Sequence, residues 1–277
     1  MSYKTILAYL NDKRRAENIL APAVQLASRY SSHLVGLHVQ ATVPAPPVPL
    51  PFASKVLGKL AAEERATSDA ISATFTRLTA QGSFTPEWQL LKSRNPDLVS
   101  AVLERGRTAD LIITGQTDPD WDLSPVLDFP ERLALESGRP VLVIPYAGRS
   151  QEIGRNAVIA WKPTREAART VFDALPLLKG AENVHILEFK EQPDSAQTSA
   201  DTSIAAALGR HGIKPIVHSS VMTDIGVGDE ILSRLADLDA DLLVMGAYGR
   251  SRMREFVFGG ATLHIVRHMT VPTLFAH

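Results

Sequence analysis

The sequence predicts an α/β protein made of two tandem doubly wound domains, each a parallel sheet of strand order 3-2-1-4-5 covered by helices on both faces. Three observations lead there. Short, fully apolar runs alternate with stretches of helical periodicity along the whole chain, the pattern of parallel strands buried on both sides. The pattern is written twice: Ala109-Asp-Leu-Ile-Ile-Thr-Gly115 recurs as Ala240-Asp-Leu-Leu-Val-Met-Gly246, Gly138-Arg-Pro-Val-Leu-Val-Ile144 as Thr270-Val-Pro-Thr-Leu-Phe275, and Thr5-Ile-Leu-Ala-Tyr-Leu10 as Asn156-Ala-Val-Ile-Ala-Trp161. Between the copies, residues 147–154 are polar and glycine-bearing and read as a linker. The expected domains are therefore 1–147 and 155–277.

In the first domain, apolar runs of strand length place strands near 4–10, 34–40, 86–92, 110–115 and 141–145. Helical periodicity fills the intervals near 14–31, 53–80, 96–106 and 128–137. In the second domain the strands fall near 156–161, 183–189, 214–222, 241–246 and 272–276, and the helices near 164–179, 199–211, 228–238 and 260–269. Right-handed crossovers join successive parallel strands. The order reverses between strands 1 and 4, where a doubly wound sheet opens a crevice at the carboxyl ends of its strands. One insertion, Val43-Pro-Ala-Pro-Pro-Val-Pro-Leu-Pro51, has five prolines in nine residues and reads as a stiff crossover loop.

Composition narrows the function classes. The 277 residues are 45% hydrophobic and 21% charged, a normal balance for two domains with substantial cores. A net charge of −1 gives no bias towards nucleic acid or a membrane surface. The chain has no cysteine, which excludes disulfides, thiolate catalysis and zinc–thiolate sites. The opening Met-Ser-Tyr-Lys-Thr-Ile-Leu enters a strand without a signal-peptide pattern, and no apolar run reaches about 18 residues. The expectation is a soluble cytoplasmic protein.

The feature that carries chemistry is the segment after strand 4 of the second domain. Gly246 and Gly249 follow the apolar run 241–245, and Gly259 and Gly260 precede the last helix. Glycines at such a turn let backbone N–H groups approach a ligand, and a helix N-terminus adds partial positive charge. The spacing G-x2-G-x9-G is neither a Walker A nor a G-x-G-x-x-G pattern.

This spacing resembles the universal stress protein family, in which G-x2-G-x9-G followed by Ser or Thr holds the phosphates and ribose of ATP. All three glycines match, and Gly260 stands where Ser or Thr is expected. The run Asp241-Leu-Leu-Val-Met-Gly246 and the stretch Thr164-Arg-Glu-Ala-Ala-Arg169 after strand 1 also look like that family. The resemblance extends over nearly the whole chain as a tandem of two such domains. It implies ATP as the ligand, with Mg²⁺ as its companion. The residues implied are Gly246, Gly249, Gly259 and Gly260 for phosphates and ribose, Thr262 as a hydroxyl contact, and Lys162 and Phe189 at the base end. Arg250, followed by Arg252 and Arg254, either brings a guanidinium to phosphate or is solvated on its loop.

The match has a gap at the base. The family's adenine contact is an acidic residue just after strand 1, where this chain has Lys162, and an ammonium cannot accept from an adenine amino group. The first domain has Asn11 there, followed by Asp12. Trp161 either packs on a base or is core. The first domain also loses the cradle. Gly115 persists, but Asp118 replaces the second glycine, and Leu127 and Asp128 stand opposite Gly259 and Gly260. Pro119, Pro125 and Pro130 remove donors, and Asp118, Asp120, Asp122 and Asp128 repel a polyphosphate. That acidic cluster fits no EF-hand spacing and reads as solvated loop carboxylates.

Other chemistry has little support. His264 and His268 share a helix face without a third ligand, and His38 on an apolar strand reads as a hydrogen-bonded core residue. No G-x-S-x-G elbow and no aromatic–basic interleaving appear. The leading reading is a non-catalytic, stress-associated nucleotide-binding or nucleotide-sensing protein with one site, in the second domain. An interaction protein with a decayed site and an unidentified protein partner is the second reading. A slow ATP hydrolase is the third, with Asp224 and Asp229 as its acidic candidates by elimination. In the family the fifth strands meet across a two-fold. Here Val141–Ile144 and Pro272–Phe275 are expected to pair within the chain, leaving a further homodimer open.

Overall fold

The structure is a computed structural model and describes residues 2–41, 53–93, 97–117, 129–147, 152–190, 198–221, 226–247 and 260–277. It has two compact units. One spans Tyr3–Gly115, and the other contains Gln116–His277 with the first two residues.

In the Tyr3–Gly115 unit, strands and helices alternate: β1 (Thr5–Tyr9), α1 (Ala16–Tyr30), β2 (His33–Ala41), α2 (Ala53–Thr79), β3 (Thr85–Ser93), α3 (Leu98–Gly106) and β4 (Leu111–Gly115). The strands are all parallel in the order β3-β2-β1-β4, with Thr5 opposite His33, Ile6 opposite Leu111 and His33 opposite Thr85. Ile6, Ala8, Leu34, Leu37, Ile112 and Ile113 are fully buried, which is why these runs are apolar on both faces. His38 is 3% exposed, and its Nδ1 lies 2.6 Å from the Leu10 carbonyl. Gly36 on β2 has a packing cause: a Cβ there would lie 2.5 Å from the Phe75 ring of α2.

The second unit contains α4 (Phe129–Glu136), β5 (Val141–Ile144), β6 (Asn156–Trp161), α5 (Arg165–Asp173), α6 (Leu175–Leu178), β7 (Asn183–Lys190) and α7 (Thr198–Arg210). It continues with β8 (Ile216–Val221), α8 (Val227–Asp237), β9 (Leu242–Gly246), α9 (Gly260–His268) and β10 (Thr273–Ala276). Its strands run β5-β10-β9-β6-β7-β8. From β8 to β10 they are parallel, which is the expected 3-2-1-4-5 order of the second copy. The β5–β10 pair is antiparallel, with Leu142 opposite Leu274 and Val141 opposite Phe275. The two fifth strands therefore meet, and the apolar residues that suggested it are buried there.

The repeated Ala-Asp-Leu has a structural cause that the residues alone did not show. Asp110 accepts from the backbone N–H of Lys4 and Thr5 at 2.8 and 2.9 Å. Asp241 accepts from Gly154, Arg155 and Asn156 at 2.9, 3.0 and 3.1 Å. In each copy one carboxylate ties the entry of the first strand to the entry of the fourth, satisfying donors that no neighbouring strand reaches.

The helix expected near 164–179 is two helices. Pro176 has no N–H to return to the carbonyl of Phe172, so the chain breaks at Ala174 and resumes as a single turn, in which Leu177 N–H bonds to the Ala174 carbonyl at 2.9 Å.

Candidate functional site

The carboxyl ends of β6 and β9 lie side by side, with Ala160 opposite Met245. From β6 the chain proceeds outward to β7 and β8, whereas β9 is flanked on its other side by β10. This is the topological switch point of the second copy.

β6 ends at Trp161 and is followed by Lys162 and Pro163, so no ladder donor is available at Pro163. Thr164 then caps α5. Its backbone is extended (φ −123°, ψ 160°), its N–H bonds to the Lys162 carbonyl at 2.7 Å, and its hydroxyl accepts from Ala167 N–H at 3.3 Å. Gly246 ends β9 directly against this turn. A Cβ at Gly246 would stand 2.6 Å from the Ala167 nitrogen and 2.8 Å from the Glu166 carbonyl carbon. The glycine is thus required for the N-terminal backbone of α5 to close on the end of β9.

Charged groups frame this junction. Glu166 is 5% exposed and accepts from the Arg165 guanidinium. Burial pushes its carboxyl up, but the Arg165 bond, its own backbone N–H and the Thr164 hydroxyl outweigh that and hold it below the usual carboxylate range. Arg165 also reaches Nε2 of His277 at 3.3 Å, and Nδ1 of His277 lies 2.9 Å from the Ala247 carbonyl. Arginine only donates and a carbonyl only accepts, so this pair of contacts is met with Arg165 donating to Nε2 and Nδ1 donating to Ala247. Arg165 and His277 therefore brace Ala247, the first residue beyond β9.

The remaining expected residues fall as follows. Lys162 is exposed. Trp161 lies opposite Glu188, so Lys162 and Phe189 come next along two adjacent strands. Phe189 is half-buried on β7. The Trp161 Nε1 is buried without a hydrogen-bond partner among the described residues. Gly260 opens α9, is exposed, and among the described residues has nothing within 4 Å of where a Cβ would be. Thr262 is 5% exposed, so its hydroxyl is turned into the protein. Gly249, Arg250 and Gly259 lie outside the described residues, as does Asp224. Asp229 is committed elsewhere: one of its oxygens is 3.0 Å from His264 Nε2, and a Cβ on Gly228 would meet the His264 ring at 2.7 Å. His268 stacks on His264 at 4.4 Å.

Gln116 was not anticipated. It is 2% exposed, its amide nitrogen donates to the Val266 and Arg267 carbonyls at 2.9 and 3.0 Å, and its amide oxygen accepts from Tyr146 N–H at 2.9 Å. It thereby caps the carboxyl end of α9, whose other end is Gly260. Nothing in its neighbourhood in the sequence signals this, because its partners lie 30 and 150 residues away.

The corresponding place in the first copy is occupied by side chains. A Cβ on Gly115 would be 3.0 Å from Ile19 Cδ1 and 3.4 Å from both terminal nitrogens of Arg15. Asp12 is 8% exposed and bound by Arg14, through the backbone N–H at 2.9 Å and the guanidinium at 2.8 Å. Where Gly246 meets helix backbone, Gly115 meets a guanidinium.

Residues 170–277 match the family model described as Universal stress protein family. No curated protein matches the chain. Among solved structures, the chain is similar to a universal stress protein from Archaeoglobus fulgidus, with a TM-score of 0.69 and 16% identity over 98% of this chain and 95% of that one. It is also similar to a functionally unknown protein from Pseudomonas aeruginosa (TM-score 0.58, 14% identity, 99% and 92% covered). A putative universal stress protein from Pseudomonas aeruginosa has a TM-score of 0.56 at 15% identity, with 99% and 93% covered. The universal stress protein family model thus lies on the second copy, and the chain shares the fold of these solved structures along nearly its whole length.

Proposed function

We propose that the second half of this protein binds an adenine nucleotide, ATP first, at the carboxyl ends of β6 and β9, and that it acts as a non-catalytic, stress-associated nucleotide sensor. The observation that carries this reading is the junction at Gly246. The backbone of α5 closes on the end of β9, and α9 starts at Gly260, where no described residue lies within 4 Å of a side-chain position. Between them runs the G-x2-G-x9-G segment. Backbone donors at glycines and a helix N-terminus suit phosphate oxygens, with Mg²⁺ arriving on the nucleotide. Lys162 and Phe189, which follow Trp161 and Glu188 at adjacent strand ends, would line the base end.

The first copy is not proposed to bind nucleotide, because Asp118, Leu127 and Asp128 stand where the second copy has glycines and Pro119 and Pro125 remove backbone donors. The second reading, an interaction protein with a decayed site, draws on Lys162 at the base end and on the burial of Thr262.

The test is calorimetry of the purified chain with ATP, together with the small molecules it releases on denaturation. Nucleotide binding without product release supports the sensor. A Gly259→Val variant is expected to bind at least about tenfold more weakly, or ~1.4 kcal/mol. No nucleotide released and no heat on titration would favour the interaction protein.

A further inference from the structure

A cavity of about 170 Å³ lies on the flank of the second unit, lined by Leu187, Glu188 and Phe189 of β7, His218 and Ser219 of β8, and Arg234 of α8. We infer that this cavity is a second ligand site, for a small organic carboxylate with an apolar or aromatic tail. It shares Phe189 with the proposed base end, but the rest of it is built from β7, β8 and α8, which the glycine segment does not use.

The volume suits a molecule the size of one ring, and such a space is worth filling only if its wall matches. Leu187 and His218 are opposite each other in register, and Phe189 follows two residues after Leu187, so these three side chains share one face of the sheet. Glu188, the carboxylate among the lining residues, is 5% exposed and alternates to the other face. The apolar wall for a tail is therefore Leu187 and Phe189, beside two nitrogen bases.

Arg234 is held lightly. Its Nε donates to Glu230 at 3.1 Å, an i,i+4 pair on the helix surface with the arginine 45% exposed, a contact of small net strength. Among the described residues its terminal nitrogens have no partner, which leaves the planar fork that receives a carboxylate. His218 is prepared as the second donor. Its Nε2 is 2.9 Å from Nδ1 of His185, so one ring must donate to the other. Burial, and then the proximity of His218, push the His185 imidazole towards its neutral form. The pair engages Nε2 of His218 and leaves its other ring nitrogen for a ligand. The titratable groups around it are His185 and Glu188 on β7, and Arg234 with Glu230 on α8.

The experiment is an NMR titration of the full chain with benzoate, reading the His185 and His218 ring signals and the Ser219 amide. Saturable shifts are expected at these residues. Arg234→Gln should weaken binding about tenfold, and Arg234→Lys should retain part of it. Saturating ATP should leave benzoate affinity unchanged. No saturable shift, full binding by Arg234→Gln, or displacement by ATP would each overturn the site.

Discussion

Gly246 and Ala167 are in closer backbone contact than any side chain would permit: a Cβ on the glycine would stand 2.6 Å from the alanine nitrogen. This places the first loop glycine at the packing of α5 on β9 before any ligand is considered. Gly246 therefore has a packing duty that is separate from the binding role proposed for it.

Gly246→Ala is expected to push α5 away from the end of β9 and to destabilise the fold by about 1–3 kcal/mol, the range for overpacking a close contact. Urea denaturation measures this directly. Gly260→Ala should leave stability within about 0.5 kcal/mol, since the added methyl group touches none of the described residues. The contrast between the two variants isolates the packing role of Gly246.

Gln116→Leu keeps the volume of a buried side chain but strands the Tyr146 N–H and the terminal carbonyls of α9. A loss of about 2–3 kcal/mol in urea is expected, as for buried polar groups left unsatisfied. Because α9 begins at Gly260, the same variant should weaken ATP binding in calorimetry.

Glu166 gives the junction a pH dependence. Its carboxyl is held below the ordinary value of 4.5, so between that value and its folded pKa the unfolded chain binds more protons than the native one. The stabilisation it supplies is complete above about pH 4.5 and is lost as pH falls through the folded pKa. The urea midpoint of Glu166→Gln, followed from pH 6 to 3, should fall less steeply than that of the parent.

Deleting Val271–His277 removes β10, in which Leu274, Phe275 and Ala276 are buried at 0, 1 and 2% exposure. The β5 strand then presents an apolar, unpaired edge. Aggregation on size-exclusion chromatography is expected. A truncated chain that stayed monomeric, with an unchanged urea midpoint, would argue against this pair as a stabilising element.

The architecture was legible in the residues because two periods are written into them. Apolar runs such as 111–115 and 242–246 are buried on both sides, and that leaves no polar position to obscure the strand. The repeat was equally legible, although the carboxylates of Asp110 and Asp241 inside it act through strand entries about a hundred residues away. The candidate site was legible only where its chemistry is backbone chemistry, in the glycine spacing. Gln116, the Arg165–His277 brace and the His185–His218 pair left no local trace, because each depends on groups brought together from distant segments.

What the sequence by itself determined is the alternation of strands and helices, the duplication, the meeting of the fifth strands and the location of the glycine segment after β9. Those properties follow from burial period and from residues that must turn or approach closely, both of which act within a few positions of the chain. Only the tertiary structure decided that Gly246 seats a helix, that Arg15 lies beside the corresponding glycine of the first copy, and that a polar cavity is lined by β7, β8 and α8. The physical reason is that such contacts depend on which side chains the sheet order brings within about 3 Å, the range over which a hydrogen bond or a steric clash acts.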